Sequence, residues 1–209
     1  DLAAMGARPL GFTLALALPA ADDVWLAAFA RGMFALADAH GCPLVGGDTT
    51  RGPLNLCITV FGEVAPGRAL RRDSAQAGDD LWLSGRTGEA RLALALRRGE
   101  PWARGSLADV QNRMDRPTPR VALGQALAAT DGVHAALDVS DGLAGDLGHI
   151  LAASGVGADI DLAALPVAPA LQALPEPARL DCLLAGGDDY ELLFTADPAA
   201  RAGVGPAAP

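Results

Sequence analysis

Two kinds of apolar spacing alternate along this chain, and their order limits the folds open to it. Residues 9–18 (PLGFTLALAL) and 54–64 (LNLCITVFGEV) alternate in part and are rich in β-formers, while VWLAAFARGMFALADAH between them repeats apolar residues at helical spacing. A strand, helix, strand, strand order follows, with PLVGG as a short strand after the helix. The acidic pair Asp22 and Asp23 suits the helix start, as a cap and at the positive end of its dipole, and Gly41 suits its end. Trp25, Phe29 and Phe34 on this helix read as core.

From Val64 the stretch APGRALRRDSAQAGDD loses periodicity and gains Pro, Gly and charge, which marks a connection between two units with a boundary near Ala69. Beyond it LWLSG reads as a strand, EARLALALRR and PRVALGQALAA as helices, and HAALDV as a strand ending in an acidic loop. LAGDLGHILAAS is then a helix, GADIDL a strand and YELLFT a closing strand. The tail AARAGVGPAAP is rich in Ala, Gly and Pro and reads as a truncated or disordered end. The alternation predicts α/β or α+β layers in two domains, residues 1–68 and 69–209.

Charge and composition remove several functional classes. The net charge is −9, all 16 basic residues are Arg, and no basic run interleaves with aromatics, so nucleic acid is not an expected partner. Without lysine there is no Schiff-base chemistry and no lysine of a phosphate-binding P-loop. Cys42, Cys57 and Cys182 fit neither a disulfide framework nor a zinc site, and a reducing cytoplasm is the simplest home. Apolar stretches fall short of the roughly 18 to 20 residues that span a bilayer, so no membrane partner is expected. The chain opens on Asp1 with no secretory signal pattern, and a truncated start is expected.

Chemistry concentrates in three acidic, glycine-rich elements: GGDTT at 46–50, DVSDG at 138–142 and GGDDYE at 186–191. Each lies at the edge of an apolar strand, where a rigidly held loop faces solvent. Glycine admits close approach of a phosphate, and Asp offers hard oxygen ligands suited to Mg²⁺. Any one such pair is most simply a turn. Three of one type, in a chain with no Ser–His or Cys–His pair, point to a shared metal and phosphate site. His149 reads as a helix-surface or core residue, and His40 and His134 sit at element ends where they can cap carbonyls.

DLAAMGARP, LVGGDTTRG, RRDSAQAGDDLWLSGRTGEA, RPTPR, DVSDGLAGDLGHI and GGDDYELLF resemble, in order and spacing, the signatures of the thiamine-monophosphate kinase family, within the aminoimidazole ribotide synthetase-like superfamily. The resemblance covers nearly the whole chain. It implies two α/β domains, the N-terminal one incomplete here, and a homodimer built through a β-barrel of N-terminal domains. Residue by residue, it implies metal ligands at Asp1, Asp48, Asp138 and Asp141, ATP contacts at Gly47, Asp48, Arg72 and Ser140, and a substrate contact at Asp188. For Asp1 a helix cap, and for Arg72 a solvated linker charge, fit the local sequence equally. Asp188 stands where the family usually has Glu, and Ala30 where it often has an aromatic near the adenine.

The implied reaction is phosphorylation of thiamine monophosphate by ATP in the cytoplasm, with several Mg²⁺ ions and direct in-line transfer. The acceptor oxygen is already anionic, so no side-chain nucleophile or strong general base is expected. The alternatives are another ATP-using enzyme of the same superfamily, of aminoimidazole ribotide synthetase, selenophosphate synthetase or hydrogenase-maturation type, and a non-catalytic acidic metal-binding domain.

Overall fold

The computed structural model describes residues 1–205. Its first unit is a three-stranded sheet in the order β2-β1-β3, from β1 (Arg8–Leu18), β2 (Leu44–Arg51) and β3 (Asn55–Glu63), with helix α1 (Asp23–Ala39) joining β1 to β2. β1 runs parallel to β2 and antiparallel to β3. The expected cap of α1 forms: the Val24 and Trp25 amides donate to Asp22 Oδ1 at 2.9 and 3.1 Å. The strand expected in PLVGG runs on through Asp48 to Arg51.

The aromatic residues of α1 do not form a core. Trp25 and Phe29 are half-buried and stacked at 5.2 Å, Phe34 is exposed, and Ala37 alone is buried on the helix. Every residue of β2 and β3 is exposed, including Leu56, Ile58, Val60 and Phe61. The apolar spacing of α1 specified a buried face, but no described element covers it.

The second unit holds the core. Its sheet, in the order β4-β6-β5, is antiparallel throughout and consists of β4 (Asp80–Leu83), β5 (Val133–Asp138) and β6 (Leu192–Ala196). β6 is buried at every residue. On one face Leu192, Phe194 and Ala196 pack with Leu127 and Ala128 of α4 (Val121–Ala129); on the other Leu193 meets Leu143, Leu147 and Ile150 of α5 (Leu143–Ser154). A helical layer of α2 (Glu89–Arg98), α3 (Leu107–Asp115), α6 (Pro169–Gln172) and α7 (Glu176–Ala185) encloses Leu92, Val110, Leu171 and Cys182. Burial pushes the Cys182 thiol up to about 11, which makes it a core residue and not a nucleophile.

Two expectations fail here. GADIDL forms no strand: a strand requires a neighbour for its backbone groups, and β4 pairs with β6 alone. Part of the expected disordered tail is helical, because Val204 of α8 (Arg201–Val204) is buried against the sheet and Arg201 pairs with Asp80 at 2.6 Å. Residues 206–209 lie outside the described residues.

The chain's opening turn joins the two units. Leu70 N donates to Met5 O at 3.2 Å, and Ala4 and Leu70 enter the core beside α4. The approach is close at Gly124, where a Cβ would lie 2.0 Å from Ala3 O. Gly124→Ala is expected to lose about 1–3 kcal/mol in urea unfolding, because overpacking there outweighs helix propensity. Gly148→Ala on α5 meets open space and is expected to gain up to about 1 kcal/mol. Equal effects of the two would contradict this packing.

Candidate functional site

The residues of DVSDG and GGDDYE are stitched into one structure by their backbones. Val139 N donates to Glu191 O at 2.8 Å, Tyr190 N to Val139 O at 2.8 Å and Asp188 N to Ser140 O at 2.9 Å. The contact is too close for side chains at two glycines: a Cβ at Gly187 would lie 2.5 Å from Ser140 O, and one at Gly142, where φ is +127°, 2.9 Å from Ala185 C. The β5–α5 loop and the α7–β6 loop therefore present one surface. Asp138, Ser140, Asp141 and Asp188 share it.

Within GGDDYE the side chains alternate. Asp188 and Tyr190 face outward, and Asp189 and Glu191 are buried. Glu191 is the anchor. Its carboxylate accepts from Arg120 Nε and Nη2, both at 2.7 Å, from Arg113 Nη2 at 2.6 Å and from Ser84 Oγ at 2.7 Å. Burial acts to raise its pKa, but these hydrogen bonds outweigh burial and hold it below the usual carboxylate range. Gly85 leaves room for the anchor, since a Cβ there would stand 2.6 Å from Glu191 Oε1.

A second buried carboxylate organises the other loop. Asp146, in the first turn of α5, accepts from the Ser140, Asp141 and Gly142 amides through Oδ2 at 2.9, 3.0 and 3.1 Å. The turn is thus rigid before any ligand arrives. By contrast, the Asp138 and Asp141 carboxylates accept no hydrogen bond among the described residues and remain available as oxygen donors.

The other expected site residues lie elsewhere. Asp48 sits on β2 and accepts from the Thr49 amide at 2.8 Å. Gly47 is required by packing, because a Cβ there would fall 2.0 Å from Leu14 O. Asp1 is exposed in the opening turn. Arg72 is exposed and its side chain has no partner among the described residues, whereas neighbouring Arg71 binds Asp73, with Nε to Oδ1 at 2.8 Å. His134 does not cap a carbonyl; its Nδ1 lies 2.9 Å from Asp79 Oδ1.

Among the described residues no three His, Cys, Asp or Glu side chains converge to hold a metal by themselves. The donors still fit Mg²⁺. That ion is ordinarily bound by one or two carboxylates with phosphate oxygens and water, and the loop of Asp138 and Asp141 offers two unengaged carboxylates.

Sequence reading missed the buried carboxylates and their partners. Asp146 was marked by its place four residues after Gly142 in a first helical turn, and Arg120 by its motif RPTPR, but nothing local pairs Arg120 with Glu191. Asp189 is a third such group. Its Oδ2 accepts from Gly88 N at 2.7 Å, and Oδ1, also buried, has no partner among the described residues. Burial pushes Asp189 up to about 7, against the Gly88 and Ala90 amides and the Arg113 charge, which act to lower it.

The folded state therefore keeps a proton on Asp189 that the unfolded chain releases near its ordinary value of about 4. Stability from this group is complete below that value and is lost as pH rises to about 7. Thermal midpoints are expected to fall between pH 5 and 7.5, and Asp189→Asn is expected to flatten that slope. An unchanged slope in the variant would show that another group titrates.

Comparison with known proteins places the fold in a known family. Residues 1–64 match the family described as AIR synthase related protein, N-terminal domain, and residues 76–202 match its C-terminal domain. A thiamine-monophosphate kinase of Escherichia coli strain K12 is 46% identical over 202 residues, covering 93% of this chain and 60% of that protein. The crystal structure of thiamine-monophosphate kinase from Stenotrophomonas maltophilia superposes with a TM-score of 0.91 at 51% identity, covering 98% of this chain and 66% of that one. A structure described as AaThiL complexed with AMPPCP and TMP matches at TM-score 0.84 and 28% identity, covering 96% of this chain and 65% of that one. The chain thus spans about 60% of the length of the curated relatives it matches. With both domains matched in order along a shared fold, this chain belongs to the AIR synthase related protein family.

Proposed function

We propose that this chain forms part of a kinase that transfers the γ-phosphoryl group of ATP to thiamine monophosphate, giving thiamine diphosphate. The observation that carries the reading is the stitched pair of loops, which sets the free carboxylates of Asp138 and Asp141 beside Ser140 and Asp188. The similarity to thiamine-monophosphate kinases supports the same substrates.

In this reading the chain positions reactants and supplies no nucleophile. The acceptor is a phosphate oxygen that is already anionic, and the difficulty is repulsion between two polyanions. Mg²⁺, when bound, neutralises that charge and orients the reacting oxygens for in-line transfer. Asp138 and Asp141 would hold it, with Asp48 and Asp1 contributed by the other unit. Ser140 and Gly47 contact the nucleotide, and Arg72, whose side chain has no partner among the described residues, reaches its phosphates. Asp188 faces the cationic part of the thiamine substrate. The domain boundary is placed near Ala69, and the enzyme acts in the cytoplasm. The exposed apolar residues of β2 and β3 support homodimer formation through this sheet. No helix among the described residues is long and apolar enough to cross a membrane.

The complete protein is expected to release ADP from ATP and thiamine monophosphate only with Mg²⁺ or a similar ion. Asp48→Asn and Asp138→Asn are each expected to lower kcat at least about a hundredfold with an unchanged melting temperature, since each removes a ligand charge with little change of shape. Full turnover in excess chelator would refute the reading. Near-normal rates in either variant would remove that residue from the metal site and leave it a strand residue only.

A further inference from the structure

We propose that Tyr190 is a positioning residue for the acceptor substrate, acting through Asp188. The inference rests on the reading that Asp188 contacts that substrate, and it gives a role to Tyr190 of GGDDYE, whose side chain the amide stitching of the loops does not use.

Tyr190 Oη donates to Asp188 Oδ1 at 3.1 Å, and both side chains are on the outer surface of the loop. The backbone that makes this possible is unusual. Asp188 and Tyr190 both lie in the left-handed region, at φ of 66° and 53°, and are the two non-glycine residues of the described chain with positive φ. Such conformations persist only where the surroundings over-determine them, and they gather at ligand-holding segments. Here the Asp188 and Tyr190 amides are both fixed to the DVSDG loop, and the side chains of Asp189 and Glu191 are both locked inward. The loop therefore aims the two outward side chains at each other.

A single bond from tyrosine to one carboxylate oxygen leaves the second oxygen of Asp188 as the acceptor for a ligand. The alternative orientations of a solvent-facing Asp are removed before binding, which lowers the entropic cost of the contact. Partial burial, the bond to Asp188 and the neighbouring carboxylates together hold the Tyr190 hydroxyl above the usual phenol range, so it keeps its proton and remains a donor. A cationic heteroaromatic acceptor would meet a fixed carboxylate with an aromatic ring beside it. Phenylalanine in place of tyrosine preserves the ring and removes the orienting bond.

The test is steady-state kinetics of the complete enzyme with ATP and thiamine monophosphate. Tyr190→Phe is expected to raise KM for thiamine monophosphate about five- to tenfold, with kcat and the KM for ATP changing less than about twofold. Asp188→Ala is expected to raise the same KM further, and the double variant to be no worse than Asp188→Ala alone, because the tyrosine acts only through that carboxylate. If Asp188→Ala raises KM and Tyr190→Phe does not, or if the two effects add, the positioning role is overturned while the reading of Asp188 stands. If Asp188→Ala leaves KM unchanged, the reading of Asp188 falls and the inference falls with it. A drop in melting temperature for Tyr190→Phe with unaltered KM would assign the hydroxyl a purely structural part and would also overturn the proposal.

Discussion

The ion cluster around Glu191 holds the functional end of the molecule in one shape. One carboxylate, almost wholly buried, takes hydrogen bonds from a residue of α3, a residue before α4 and the residue after β4. A buried carboxylate without partners is strongly disfavoured, so removing one of these donors costs several kcal/mol, of order 3–5. The cluster is thus an all-or-none fixture. It determines where β6 begins and which way the residues just before it face.

From that fixture the outer loop inherits its geometry. With Glu191 and Asp189 inward, Asp188 and Tyr190 must face outward, and the amides between them close onto Val139 and Ser140. Asp146 does for the neighbouring loop what Glu191 does for this one, by accepting three consecutive amides. Of the outer acidic side chains, Asp138 and Asp141 take no hydrogen bond among the described residues, and Asp188 takes one from Tyr190. This division explains how a chain of charge −9 can concentrate carboxylates at one surface: the buried ones are held by Arg or by amides or keep a proton, and Asp138 and Asp141 remain open to a cation.

Strands and helices with a strong period were legible from residues alone, including β1, β3, α1, α2, α4 and α5. So were the three acidic elements, because Asp beside Gly after an apolar run is a local signal. The misses share a physical cause, dependence on distant partners. α3 and α7 have short, mixed faces that become apolar stripes only when packed together. GADIDL has the composition of a strand but no neighbour to pair with, and Phe34 has the spacing of a core residue without a covering surface. In the site, Glu191 and Arg120 are separated by 71 residues, and no local pattern joins them. The outward direction of Asp188 and the inward direction of Asp189 likewise follow from the anchor and not from the order of two adjacent acids.

Residue-resolved amide hydrogen exchange in Glu191→Gln reads the central dependence directly. The variant keeps the shape of the side chain and removes the charge that Arg113 and Arg120 require. The amides of Val139, Asp188 and Tyr190 are predicted to exchange at least about tenfold faster than in the parent protein, while those of β1 and β3 keep their rates. Unchanged protection at those three amides, or an equal acceleration across both sheets, would contradict the assignment of Glu191 as the anchor of the site.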